Sequence, residues 1–462
     1  MKSSAGLPAI VVTGDGAGVV SHAGARLLVE TARRSGVAAG LSQRLSLWRA
    51  PRAVHDPGKI VLDLAVAIAA GGDCAADIAM LRAQPEVFGS VASDPTVSRL
   101  ISLLAEDPEG AGLAIRAARS QARQRVWGHA GIPWQADGHG RKLVIDLDAT
   151  YIDAHSPKEQ ATKARKGFGF HPLLGFVDHG EQGTGEAMTG LLRPGSAGAG
   201  TAADHITLLK EMLAHLPEDA TAFDEHCRRP ILVRTDSAGA THAFTQFLIE
   251  QGIEFSLGAK LGDYDIDTIL AAIPPEAWIP AINPDGTPQP DARVCEATAL
   301  FGLTTWPQDM RVILKKDKPL PGSQLTITDH DGMRVTGFFT STGHLAPPEL
   351  ELRHRRHARV EDRIRCGKDT GLANLPFHGF AHNQIWLEIC ALAQDLLALT
   401  QRAALTGPAR RWEPKTLRHR LLATAARLVR TGRQLILRYA QNWPWTPLLT
   451  SVFTRLHALS SP

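Results

Sequence analysis

The stretch LVIDLDAT, Leu143 to Thr150, constrains this chain more than any other. Its apolar density is that of a buried strand, and a buried strand requires a sheet around it. Residues two apart in a strand share a face. Val144, Asp146 and Asp148 therefore lie on one side and Leu143, Ile145 and Leu147 on the other. An isolated buried carboxylate is costly and must find a partner, a proton or a metal. A second buried run ends the same way: in ILVRTDS, Asp236 follows Ile231, Leu232 and Val233. Acids at the ends of neighbouring strands can converge at one sheet edge. The plainer alternative is that each acid caps a turn or a helix.

The surrounding pattern supplies the sheet. KLVIDLDAT, FGFHPLLGFVDHG and EAMTGLLRPG are separated by glycine-rich turns and predict an antiparallel meander. TAADHITLLKEMLAHL predicts a helix with Thr201 as a cap, PILVRTDSAG a strand, THAFTQFLIEQG a helix ending at Gly252, and IEFSLGAK a strand. Three antiparallel strands followed by alternating helices and strands make a mixed α/β sheet. Residues 17–126 read as helices. In ASDPTVSRLISLLAED, Ser93 or Asp94 can cap and Pro95 suits the first turn. That stretch is open to a helix-turn-helix reader or to plain helical packing. Arg116, Arg119 and Arg123 fall near one helical face, suited to phosphates or simply to solvent. TGDGAG, 13–18, reads as a turn, and 131–140 as a linker.

Between about 263 and 345 the chain turns Pro-rich with β signals. RVILKKDK predicts a strand, and QLTITDHDGMRVTGFFTST a hairpin turning at Asp331-Gly332. Helical sequence resumes at Pro348. In HRRHARVEDRIRCGK, His354, His357, Glu361, Ile364 and Lys368 recur at i, i+3, i+7, i+10 and i+14, one helical stripe. Two His, one Glu and one Lys do not make a core stripe. The stripe suits either a surface helix laced with ion pairs, since Arg355, Arg359, Asp362 and Arg365 are near, or a carboxylate for a metal beside cations for phosphates. Three carboxylates about 4 Å apart repel by roughly 4 kcal/mol per pair at moderate dielectric. A divalent cation removes that objection, and Mg²⁺ is typically held by a few carboxylates.

Composition narrows the class. Net charge is only +3, but from Gln401 onward eleven Lys/Arg face one acid, Glu413. That basic tail, with Trp412, Trp443 and Trp445, suits a polyanion such as DNA, or a solvated helical face. Five scattered cysteines form no CxxC pair, and the histidines show no HExxH spacing, so no zinc site or disulfide framework is expected. TGDGAG lacks the Lys-Ser/Thr of a P-loop and the last glycine of a dinucleotide fingerprint. No signal-peptide core or membrane span is evident, and a cytoplasmic protein is expected.

Several segments together carry a resemblance: LVIDLDAT, GFGFHPLLGFVDHG, LLRPGSAGAGTAADH, RTDSAGATHAF, ELRHRRHARVEDRIRCGKDTGLANLPFHGFAHNQIW and WEPKTLRHRLLATAARLVRTGR. In their order and spacing the chain resembles the DDE transposases of bacterial insertion sequences, the group carrying the DDE group 1 domain. The resemblance implies an RNase H-like core, with a β-rich insertion between the second acid and the final Glu. It implies Mg²⁺-dependent cleavage (Mn²⁺ substituting) at transposon ends, and joining of the freed 3′-OH to target DNA by a two-metal mechanism. By position, Asp148 is the first acid, Asp236 the second and Glu361 the third; Asp146 is the runner-up for the first. Related enzymes space Tyr, Arg, Glu and Lys as Y-x2-R-x3-E-x6-K. Here Glu361 and Lys368 fit, while His354 and His357 stand where Tyr and Arg would be, and Arg353, Arg355 or Arg356 is left to supply the missing cation.

The expected organisation is a helical DNA-binding region over 1–135, catalytic core over 136–262 and 346–400, a β insertion over 263–345 and a basic helical region over 401–462. Double-stranded DNA is the expected partner, met by a dimer or higher oligomer. His354, His357, Lys368, Arg365, Arg355 and Arg359 are the expected DNA contacts at the site, with Arg418, Arg420, Arg427, Arg430 and Arg433 on C-terminal helices. Three other readings share these features: a metal-dependent nuclease without strand transfer, a non-catalytic DNA-binding derivative of a transposase, and a two-carboxylate glycoside hydrolase. The last fits poorly with few aromatics and a cationic stripe.

Overall fold

The computed structural model describes residues 10–136, 140–164, 167–198, 201–319, 329–330 and 332–459. Helical segments run from Arg26 into the long helix α1 (Pro108–Ala130), whose first turn is capped by Asp107 accepting the Gly110 N–H at 3.0 Å. The sheet then begins with β1 (Arg141–Ala149), β2 (Leu173–Asp178) and β3 (Gly185–Leu191). Helix α2 (Ala202–Ala214) leads to β4 (Ile231–Thr235), and α3 (His242–Glu250) to β5 (Glu254–Gly258). Strands β6 (Ile279–Ile282), β7 (Pro288–Glu296), β8 (Arg311–Asp317) and β9 (Met333–Thr340) follow. Helices α4 (Pro347–Arg355), α5 (Arg359–Gly367) and α6 (Phe380–Ala404) come next, then a ribbon of β10 (Ala426–Thr431) and β11 (Gln434–Tyr439), to whose base Val19–Val20 adds a short third strand.

One large sheet organises the chain, in the order β6-β7-β8-β9-β5-β4-β1-β2-β3. β1, β2 and β3 form the expected antiparallel meander, while β4 runs parallel to β1 and β5 parallel to β4. The mixed α/β sheet is therefore as expected. The β-rich segment after residue 263 is not a detached module: β9 pairs antiparallel with β5, so its strands extend the same sheet. The hairpin turn expected at Asp331-Gly332 lies partly outside the described residues; its flanks pair as Asp329 with Arg334 and His330 with Met333.

Strand alternation separates two cores. Leu143, Ile145 and Leu147 of β1 join Ile231 and Val233 of β4 beneath α2 and α3. The approach of α2 is close because β2 carries Gly175, where any Cβ would meet the Met212 sulfur at 2.3 Å. On the opposite face, Leu174 and Phe176 of β2 pack into a core shared by α5, α6, the N-terminal helices and the C-terminal segment. α6 is apolar nearly all round and is buried along most of its length, as a central helix must be.

Two expectations are corrected here. Arg119 and Arg123 are not a wet or DNA-facing surface; each is 1% exposed. Arg119 donates to Asp395 (2.9 Å), Arg123 to Glu186 (2.6 Å) and Asp395 (3.0 Å), and Arg116 to Glu388 (2.6 Å). The charges are tolerated inside because each has a bonded counter-charge. The C-terminal region is also not purely helical. Arg427 and Arg430 lie on β10, and Arg433 sits in the turn after Gly432, whose φ of +57° glycine accepts readily.

Candidate active site at the strand ends

β1 and β4 are in register from Leu143 opposite Ile231 to Leu147 opposite Thr235. Asp148 and Asp236 are thus the next residues on two adjacent parallel strands, and alternation turns both away from the α2/α3 core. Above that face run α4, a tight turn over Arg356–Ala358, and α5. The stripe predicted from spacing is laid across the sheet. His354 meets β5 through Ser256 Oγ at 2.9 Å and stacks on Phe338 of β9 at 4.3 Å. His357 Nδ1 meets Asp146 Oδ1 at 2.9 Å, and Lys368 Nζ donates to the Tyr151 carbonyl at 3.0 Å. Beyond Lys368 the helix breaks at Thr370 and at Gly371, φ +82°.

Asp146 and Asp148 differ sharply. Asp146 is 2% exposed, and both its oxygens are taken by the Arg234 guanidinium at 2.7 and 2.8 Å. Arg234 also donates to Asp178 (3.0 Å) and to the Arg353 carbonyl (3.0 Å). Burial by itself raises the Asp146 carboxyl, but Arg234 and His357 override it and hold it at about 2. Asp146, the runner-up acid, is thus an ionised member of a closed network at neutral pH.

Among the described residues the Asp148 carboxylate accepts one bond, from the Ala149 N–H at 2.8 Å. Burial first, then the charge of Asp236, with a smaller push from Glu361, raise it to about 6 against the opposing effects of His357 and the Ala149 bond. Asp236 is exposed and accepts the Ala238 N–H at 3.0 Å. So the turn-capping alternative describes one oxygen of Asp236, while the Asp148 bond lies within strand β1 and caps no turn. Glu361 is exposed and, among the described residues, enters no ion pair, although it sits on a helix rich in arginine. Its arginine neighbours are engaged elsewhere: Arg359 with Asp178 (3.1 Å), and Arg365 with Asp362 (3.0 Å) and Glu413 (2.8 Å).

The ligand oxygens of Asp148, Asp236 and Glu361 are not all within 4.8 Å of one another. Among the described residues that condition is met by Asp73, Cys74 and Asp77. There Asp77 accepts the N–H groups of Asp73 and Cys74 and the Cys74 thiol, which is turn closure. A single Mg²⁺, with bonds of about 2.1 Å, cannot touch all three strand-end acids as they stand. It needs only one or two carboxylates, the rest being water or substrate oxygen, and the donor set is all hard oxygen. The residues therefore fit a divalent cation at an open edge.

His354 is pushed down to about 3 by burial and by the charges of His357 and Arg234, so it brings no positive charge. Arg355 donates to the Ile282 carbonyl (2.7 Å), and Arg356 to Glu181 (2.6 Å). Arg353 lies against Thr342 and Glu254. Sequence reading missed Arg234 and Asp178, which fix Asp146. The signal for Arg234 was present in RTD: an arginine inside a buried strand must have an acid across from it.

The family model of the transposase DDE domain group 1 matches residues 2–461, and the chain belongs to that family. Its members are transposases, acting on DNA and generally using a divalent metal. No curated protein matches the sequence. Among the described residues no helix is long and apolar enough to cross a membrane.

Proposed function

We propose that this chain cleaves phosphodiester bonds at transposon ends and joins the 3′-OH ends to target DNA, with Asp148, Asp236 and Glu361 as the acids of a two-metal site. The carrying observation is the uncompensated cluster: Asp148 raised to about 6 by burial and by the charges of Asp236 and Glu361. The proposal includes an RNase H-like core made of β3-β2-β1-β4-β5, Mg²⁺ as the ion with Mn²⁺ substituting, and double-stranded DNA bound by a dimer or higher oligomer in the cytoplasm. A bound divalent ion would supply charge neutralisation at the scissile phosphate and a more acidic attacking water or hydroxyl.

The chain's own residues set the geometry. Two parallel strands hold Asp148 and Asp236 side by side, and α5 carries Glu361 to the same edge. The clamp of Arg234 on Asp146 ties β1 to β4 one turn of the pleat behind the acids. His354, His357, Arg355 and Arg359 hold the helix onto the sheet; Arg365, half-exposed beside Asp362 and Glu413, and Lys368, on the Tyr151 carbonyl, would meet DNA by exchanging these partners for phosphate.

Asp236→Ala tests the reading. Cleavage of element ends should fall to background, while end binding stays within about twofold, since an exposed carboxylate contributes little to the fold. Retained cleavage would remove Asp236 from the site. Hydrolysed ends without joined products in the wild type would leave a nuclease.

A further inference from the structure

The arginines of the C-terminal segment sort into two kinds. Arg418 is spent on the carbonyls of Ala69 and Asp369, and Arg420 lies over the rings of Trp412 (4.5 Å) and Trp445 (4.4 Å). Arg455 is spent on the Ala404 carbonyl at 2.9 Å. Those of the β10–β11 ribbon are different. Arg427, Arg430, Arg433 and Arg438 are all exposed, and among the described residues none of their side chains makes a hydrogen bond, ion pair or ring contact. The ribbon contains no acid, and Glu413 of the same segment is occupied by Arg365.

Its two faces are distinct. Ala426, Leu428, Leu437 and Tyr439 point to the core, and the Tyr439 hydroxyl donates to the Ala23 carbonyl at 3.0 Å. The register places Arg427 directly opposite Arg438, Val429 opposite Ile436 and Thr431 opposite Gln434 on the outer face. Like charges directly across a strand pair destabilise it. An outer face that accepts this repulsion, with no acid among the described residues to relieve it, is matched to an external anion.

We propose that the β10–β11 ribbon is a DNA-docking element, separate from the strand-end acids, that lays its outer face on duplex DNA with Arg427 and Arg438 on phosphates, while Arg433 in the turn and Arg430, exposed next to the turn on the core-side face opposite Leu435, reach phosphates at the tip. Val19 and Val20 pair with Arg427 and Ala426 at its base, and beyond them, among the described residues, only two strands continue to the turn, a width the major groove admits. This rests on the transposase reading for its partner and goes beyond it in assigning the surface.

The test is binding of the full chain to a mixed-sequence DNA duplex across a salt series, for wild type, Arg427→Gln/Arg438→Gln and Arg430→Gln/Arg433→Gln. Each phosphate contact contributes roughly 0.9 to the slope of log affinity against log salt, so each double variant should lose about 2 from that slope. Removing the Arg427–Arg438 pair should also leave the melting temperature unchanged or higher, whereas a structural role predicts a fall. Wild-type binding with unaltered slopes in both variants would overturn the ribbon assignment alone. Failure of the wild type to bind any duplex would overturn it together with the transposase reading. Weakened binding to single-stranded RNA with unchanged duplex binding would also overturn it.

Discussion

The interior of the sheet face and its strand-end edge lie one pleat apart and solve opposite electrostatic problems. In the interior, Asp146 and Asp178 share Arg234, with His357 and Arg359 completing the set. At the edge, Asp148, Asp236 and Glu361 have backbone N–H bonds at most. Both regions carry carboxylates on the same strand. One carboxyl is held at about 2, the other raised to about 6. A carboxylate that the fold needs is given its cation within the chain. Those at the edge have no such cation among the described residues, which is the condition the proposed metal site requires. The contrast also separates two acids that alternation alone places on the same face.

Breaking the interior should have the largest effect. Arg234→Ala strands Asp146 and Asp178 in a buried site, where loss of one partner from a buried pair costs about 3–5 kcal/mol. Urea unfolding should show this loss at neutral pH. Because the Asp146 carboxyl is depressed by folding, the stability it contributes is present above its unfolded pKa of about 4 and is lost as pH falls toward 2. A small loss in Arg234→Ala would mean the network is dispensable and the contrast is false.

The edge should respond with the opposite sign. Asp148 binds its proton more tightly folded than unfolded, so its ionisation works against folding as pH rises from about 4 through 6. Asp148→Asn should therefore stabilise the metal-free protein at pH 7 by about 1–3 kcal/mol, a shift of roughly two pKa units setting the upper bound. The gain should vanish near pH 4. Asp63, also raised to about 6, titrates in both proteins, so the difference between them isolates Asp148. Chemical denaturation at two pH values decides it, and a destabilised Asp148→Asn at neutral pH would contradict an uncompensated edge.

Much of this was legible in the sequence, for local reasons. Alternation in LVIDLDAT separated the acid face from the apolar face, and the 3–4 spacing of His354, His357, Glu361 and Lys368 described a stripe that does cross the sheet. What local periodicity could not show was partnership over long separations. Arg119 reads as surface because Glu388 and Asp395 lie far along the chain, and only the fold brings them to bonding distance. The same holds for Arg234 and Asp146. The ribbon was missed for a different reason. ARLVRTGRQLILRY is rich in Leu and Arg, which favour helix, yet it alternates on either side of Thr431-Gly432-Arg433, a hairpin signal that outweighs propensity once Leu428 and Leu437 can reach the core. His354 shows the limit of residue type: a histidine on a cationic stripe is held neutral because Ser256, Phe338 and burial surround it.

The smallest effect on the fold, and the sharpest on the comparison, should come from Glu361→Gln. Glu361 is exposed and bonded to nothing among the described residues, so the change should alter stability by about 0.5 kcal/mol or less, as ordinary surface substitutions do. Its effect should appear only when Mn²⁺ is added. A cation that binds the folded chain and not the unfolded one raises the melting temperature in proportion to its affinity. If Glu361 contributes to holding the ion, the Mn²⁺-induced rise seen in the wild type should shrink in Glu361→Gln and in Asp236→Ala. It should persist in Asp73→Asn, which removes an acid from the turn at Asp73–Asp77 and leaves the strand ends intact. An equal rise in Glu361→Gln and wild type would detach Glu361 from the edge. A rise lost only in Asp73→Asn would move the cation to the Asp73–Asp77 turn.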